Sequence, residues 1–214
     1  MSLASLAPSP PRRPSEADRR ERILAAAERV FAERGFHAAT MQHVAEAAGM
    51  SAGNLYRTFL SKEAIVEGLC ACDQQERIDN FIGIAESGSV FAAFEAGLRE
   101  NFASRSREKA RLALEIWAEG CRNPAIATMS LTVDADIIGK IAKVIGMAKE
   151  RGEAAPGTDP ETIARLMFTY FGGLLKRQAL EPAFDAEAET QRALALLKGL
   201  CGAAMAAAWQ EQPR

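Results

Sequence analysis

Apolar side chains return every three to four residues along nearly the whole chain, and no stretch alternates as a half-buried strand would. Ile23, Leu24, Ala27, Val30 and Phe31 form one stripe and predict a helix from about Ala17 to Arg34. Ser15, with Asp18 three residues on, has capping-box spacing, and Gly35 stands where that helix ends. Met41, Val44, Ala45 and Ala48 are the inward face of a short second helix capped by Thr40. Gly49 ends it, because glycine tolerates the left-handed conformation of such an exit. Ser51 caps a third helix with Leu55 and Phe59 inward. A fourth starts at Ser61 and turns Ile65, Leu69, Cys72, Ile78, Phe81 and Ile82 inward.

Further stripes follow at Phe91, Phe94, Leu98 and Phe102, at Leu112, Ala113, Ile116, Trp117 and Cys121, and at Ile137, Ile138, Ile141, Val144 and Ile145. Asn123-Pro124 and Asp159-Pro160 each join a capping side chain to a proline suited to the first helical position. The last two helices carry Ile163, Leu166, Met167, Tyr170, Phe171, Leu174 and Leu175, then Leu194, Leu197, Leu200, Cys201, Ala204, Met205, Ala208 and Trp209. About nine helices with short connections predict an all-α protein. It divides into a tail over 1–14, a helix-turn-helix unit over 15–66 and a larger helical bundle domain over 67–214.

The tail holds four of the nine prolines and is expected to be disordered. Arg12, Arg13, Arg19 and Arg20 in or after it suit either a basic arm on DNA or a solvated lead into the first helix. The net charge of −2 is unevenly spread. Residues 1–66 hold nine Lys and Arg against seven Asp and Glu, a net of +2, and the remainder is −4. That split suits a protein touching a polyanion at one end only.

No apolar run approaches the ~18 residues of a membrane span. No charged segment followed by an apolar core opens the chain, so the expected location is the cytoplasm. Cys70, Cys72, Cys121 and Cys201 read as reduced and structural, with a soft-metal site at Cys70 and Cys72 as the alternative. No Cys/His set has zinc spacing, and no metal or cofactor is expected. There is no Ser/His/Asp set, and His37 and His43, the only histidines, both lie in the N-terminal part. An enzyme is not expected.

Helix, glycine turn and capped second helix are the parts of a helix-turn-helix, whose second helix lies in the DNA major groove. The pattern from Arg20 to Leu69 resembles the TetR family of bacterial transcriptional regulators. It includes Arg22-Ile-Leu, Phe31, Gly35-Phe36, Thr40-Met41, Val44-Ala45, Ala48-Gly49-Met50-Ser51, Leu55-Tyr56, Phe59 and Ser61-Lys62-Glu63. Glu115-Ile-Trp-Ala-Glu, Arg122-Asn-Pro and Arg151-Gly-Glu are similar to one C-terminal subgroup of that family. The resemblance implies a homodimer that binds DNA through the N-terminal unit and a small effector through the C-terminal domain.

Lys62 and Tyr56 resemble the family's phosphate-contacting residues, and Thr40 can offer its helix end to a phosphate. Base readout is expected from Ser51, Ala52, Gly53 and Asn54, with Gln42 at a base-contacting position by resemblance. Between the motif Tyr and Phe the family often has aromatic residues or His; here Arg57 and Thr58 stand there, pointing to an arginine contact.

One short recognition helix reads few base pairs, so two copies about one helical turn apart are expected on a palindromic operator. The resemblance places the dimer interface on the last two helices, at Tyr170, Phe171, Leu174, Leu197, Leu200, Ala204 and Ala208. An effector pocket is expected among Phe91, Phe94, Phe102, Trp117, Cys121, Met129, Met147 and Met167. No charged residue stands out there, so the expected effector is mainly apolar or aromatic and releases a repressor from DNA. The alternative from another class is a helical protein-interaction module without regulated DNA binding.

Overall fold

The structure, a computed structural model, describes residues 15–104 and 106–210, with side chains except at 71–79, 103–104 and 203–210. The tail over 1–14, with Arg12 and Arg13, lies outside the described residues, as do the side chains of Cys72, Ile78, Ala204 and Ala208. Among the described residues the chain forms nine α-helices and no strand. They are α1 Glu16–Arg34, α2 Met41–Ala47, α3 Ala52–Tyr56, α4 Lys62–Ser87, α5 Val90–Ser104, α6 Arg107–Gly120, α7 Pro124–Glu150, α8 Pro160–Leu180 and α9 Ala186–Gln210. None is long and apolar enough to cross a membrane.

The start signals act as their chemistry predicts. The Ser15 hydroxyl accepts from the Asp18 N–H at 3.1 Å, and the Asp18 carboxylate accepts from the Ser15 N–H at 2.9 Å. Asn123 and Asp159 accept from first-turn amides just ahead of the prolines that open α7 and α8. Helices α1 to α3 and the start of α4 close over one core, where Ile23, Phe31, Val44, Leu55 and Ile65 are fully buried. Phe31 meets Phe36 edge to face at 5.4 Å. The same core reaches Leu112 of α6 and Ile126 of α7, so the N-terminal head is packed onto the body. A second core, with Phe94, Ile145, Met167 and Leu197, joins α5, α7, α8 and α9 to the C-terminal half of α4.

The Arg151-Gly-Glu triplet ties the corner between α4 and α5. The Arg151 guanidinium donates to the carbonyls of Ala85, Glu86 and Gly88 at 2.5, 3.0 and 2.8 Å, satisfying the open C-terminal end of α4. The Glu153 carboxylate accepts from the Ser89 hydroxyl and the Val90 N–H at the start of α5.

Part of the expected dimer interface on α8 and α9 is internal to the subunit. Leu174 and Leu197 are buried inside their own subunit, and Tyr170, Phe171 and Leu200 pack against internal clusters. The outward faces carry Leu166, Thr169 and Gly173 on α8 and Ala195, Leu196 and Gly199 on α9. Both helices are apolar on two sides, so periodicity alone leaves open which side meets the subunit's own core.

Candidate nucleic-acid interface and effector cavity

The turn between α2 and α3 is closed by backbone bonds. The Met50 N–H reaches the Ala45 carbonyl at 3.0 Å and the Gly49 N–H the Glu46 carbonyl at 3.0 Å, with Gly49 at φ +64°. Thr40 caps α2 by accepting from the His43 N–H at 3.2 Å, while His43 Nδ1 accepts from the Thr40 N–H at 3.3 Å. His43 therefore takes the reciprocal place that Glu or Gln usually fills. Ser51 accepts from the Asn54 N–H at 3.3 Å, which opens α3.

Beyond these caps, most of the expected DNA-facing residues are exposed. Thr40, Gln42, Ser51, Gly53, Asn54, Tyr56 and Arg57 are exposed, and Ala52 is half-buried. Gln42 is held by Glu46, its amide donating at 3.0 Å. Arg19 and Arg22 of α1 line a small concavity with Met50 and Asn54, so two guanidinium groups flank the start of α3. Arg20 instead stacks on Phe59, 4.5 Å from the ring centre.

Lys62 is spent inside the fold. Its Nζ donates to the carbonyls of Phe36, His37 and Ala39 at 2.9, 3.3 and 2.8 Å and lies 4.7 Å from the Phe36 ring centre. An ammonium has three donors, and all three are engaged. A Lys62→Met substitution is expected to cost about 1.5–3 kcal/mol in denaturant unfolding, the range for hydrogen bonds to a charged group. The salt dependence of DNA binding should stay unchanged. A lower salt slope at unaltered stability would make Lys62 a phosphate contact instead.

A cavity of about 540 Å³ lies where α1, α4, α5, α6, α7 and α8 converge. Of the residues expected at an effector pocket, Phe94, Phe102, Trp117 and Met129 line this cavity. Four other expected residues do not. Met167 is fully buried in the core, Met147 and Phe91 pack beside that core, and Cys121 is exposed at the end of α6 with its thiol on the Trp117 carbonyl. These four share the apolar character of the true lining, so composition could not separate them. Sequence reasoning missed Asp134. It lies on the α7 stripe with Ser130, Val133, Ile137 and Ile141, where a carboxylate among apolar positions at helical spacing was the visible signal.

Helix α6 joins cavity and head. Ala113, Ile116 and Trp117 line the cavity, and the Glu115 carboxylate accepts from the Phe36 N–H at 2.6 Å in the turn after α1. Lys109 pairs with Glu28 of α1 at 2.6 Å, and Asn123 donates to Glu63 at the start of α4 at 3.3 Å. No group of three or more His, Cys, Asp or Glu among the described residues could hold a metal ion.

Known proteins share both halves of this arrangement. A family model described as bacterial regulatory proteins, tetR family, matches residues 23–69. One described as BetI-type transcriptional repressor, C-terminal, matches 92–202. The HTH-type transcriptional regulator UidR of Escherichia coli strain K12 is 32% identical over 160 residues, which are 73% of this chain and 79% of that protein. The HTH-type transcriptional repressor BepR of Brucella suis biovar 1 is 30% identical over 176 residues, 74% of this chain and 79% of the relative. The solved structure of Salmonella enterica GusR superposes with a TM-score of 0.71 at 31% identity, covering 86% of this chain and 95% of that one. Capped head, glycine turn, helical body and these matches over both parts agree: the chain belongs to the TetR family of bacterial transcriptional regulators.

Proposed function

We propose that this regulator is a homodimeric repressor that holds a palindromic operator through α3 and is released by a mainly apolar or aromatic effector in the cavity of its body. The observation that carries the effector-release part is α6, which lines the cavity on one side and grips the head through Glu115 and Lys109 on the other. A ligand that favours one placement of α6 shifts the head by its differential affinity for the two placements and no further.

In this reading Asn54 meets a base edge and Ser51, Ala52 and Gly53 allow close approach of the α3 backbone. Tyr56, Arg57, Arg19 and Arg22 meet phosphates, Thr40 presents the end of α2, and Gln42 reaches DNA once it leaves Glu46. Lys62 acts by holding the turn ahead of α2. The dimer forms through the outward faces of α8 and α9, around Leu166, Gly173, Leu196 and Gly199, and the protein works in the cytoplasm where its operator is.

The test is a gel-shift titration on a selected operator and on random duplex. Asn54→Ala is expected to cost about 1–3 kcal/mol on the operator and little on random DNA. Equal losses on both would remove Asn54 from base readout.

A further inference from the structure

The cavity has a chemical asymmetry that its apolar character hides. Among the described residues its charged lining is Glu21, Glu28, Glu100, Asp134 and Lys109, four carboxylates and one ammonium. Lys109 is already committed to Glu28. Glu100 accepts from the Asn80 amide at 3.3 Å, and Glu21 is exposed. Asp134 differs from all three. It is half-buried on the α7 stripe, and no hydrogen bond or ion pair holds it among the described residues. Trp117, Phe94, Phe168 and Phe171 line the same space.

An unpaired carboxylate drawn partly out of water gains from a cationic partner, and aromatic faces attract the same charge. Burial pushes the Asp134 carboxyl above its ordinary value, the direction expected of an acid lacking such a partner.

We infer that the effector is an amphipathic cation, an aromatic or apolar body bearing one positively charged nitrogen that is received by Asp134. This rests on the reading of the cavity as the effector site. It adds the charge to the apolar body expected there, and it excludes anionic effectors of the same size, which would meet the carboxylate unpaired.

The test is calorimetric titration of the full-length protein, without DNA, by three probes with one body: phenylbutyl-trimethylammonium, phenylbutanol and phenylbutanoate. The cation should bind about tenfold tighter than the alcohol, and the acid no better than the alcohol. In Asp134→Asn the cation's advantage over the alcohol should fall below about threefold. The inference is overturned if the alcohol or the acid binds as well as the cation, if the advantage survives Asp134→Asn, or if the cation does not bind at millimolar concentration. A separate gel shift with the cation present distinguishes the two claims. Cation preference without release of DNA would sink effector-controlled repression and leave the charge selectivity standing.

Discussion

Arginine at both Leu166 and Leu196 is expected to leave a folded monomer that binds the operator roughly 10²–10⁴-fold more weakly than the parent dimer. Leu166 is 50% exposed and Leu196 39%, each large and apolar on the outward face of a long helix. Neither belongs to a buried cluster of its own subunit, so the substitutions remove little internal packing. Across a two-fold axis the arginines of both copies would enter one interface, adding like-charge repulsion to lost apolar burial. The loss in DNA affinity follows from geometry. In the proposed dimer two heads would engage half-sites ~34–36 Å apart, and the second engagement would be effectively intramolecular. Sedimentation gives the mass and gel shift the affinity. An unchanged dimer mass, or a monomer with undiminished affinity, would move the interface elsewhere or remove the need for it.

Valine at position 35 is expected to destabilise the protein by roughly 2–6 kcal/mol, combining strain and an orphaned amide. Gly35 sits at φ +77°, where a β-branched residue is strained by about 1–3 kcal/mol. A Cβ there would lie 3.0 Å from Glu115 Oε2 and 3.4 Å from Oε1. The carboxylate would have to swing aside and leave the part-buried Phe36 N–H without its acceptor, about 1–3 kcal/mol more. Against a typical total of about 5–15 kcal/mol this is a large fraction. A double-mutant cycle isolates the second part: with Glu115→Ala already present, Gly35→Val should cost only the backbone strain. The same cost in both backgrounds would show that the two residues do not meet. In the proposed release mechanism the pair matters because it holds the head to the helix that lines the cavity.

The head was largely legible from short-range chemistry. Ser15, Thr40, Ser51 and Ser61 each cap a helix, and Gly49 has the positive φ its position demanded. Caps and glycine turns are local, so the sequence displays them. Long-range partners were not legible. Nothing near Lys62 announces that its ammonium reaches back to three carbonyls around Ala39, or that Glu115 lands on Phe36 about 80 residues away. The body shows the same division: the stripes on α8 and α9 were found, but Leu174 and Leu197 turned out to be internal and Leu166 and Leu196 outward. Helical periodicity defines a stripe's position around an axis, and only packing chooses its neighbour.

The most direct measurement is selection of bound duplexes from a random pool by the full-length protein at moderate ionic strength. The predicted product is an enriched inverted repeat with half-site centres ~34–36 Å apart, bound less tightly as salt rises. Recovery of no duplex in preference to scrambled competitor would contradict the assignment of α3 as the element that reads DNA.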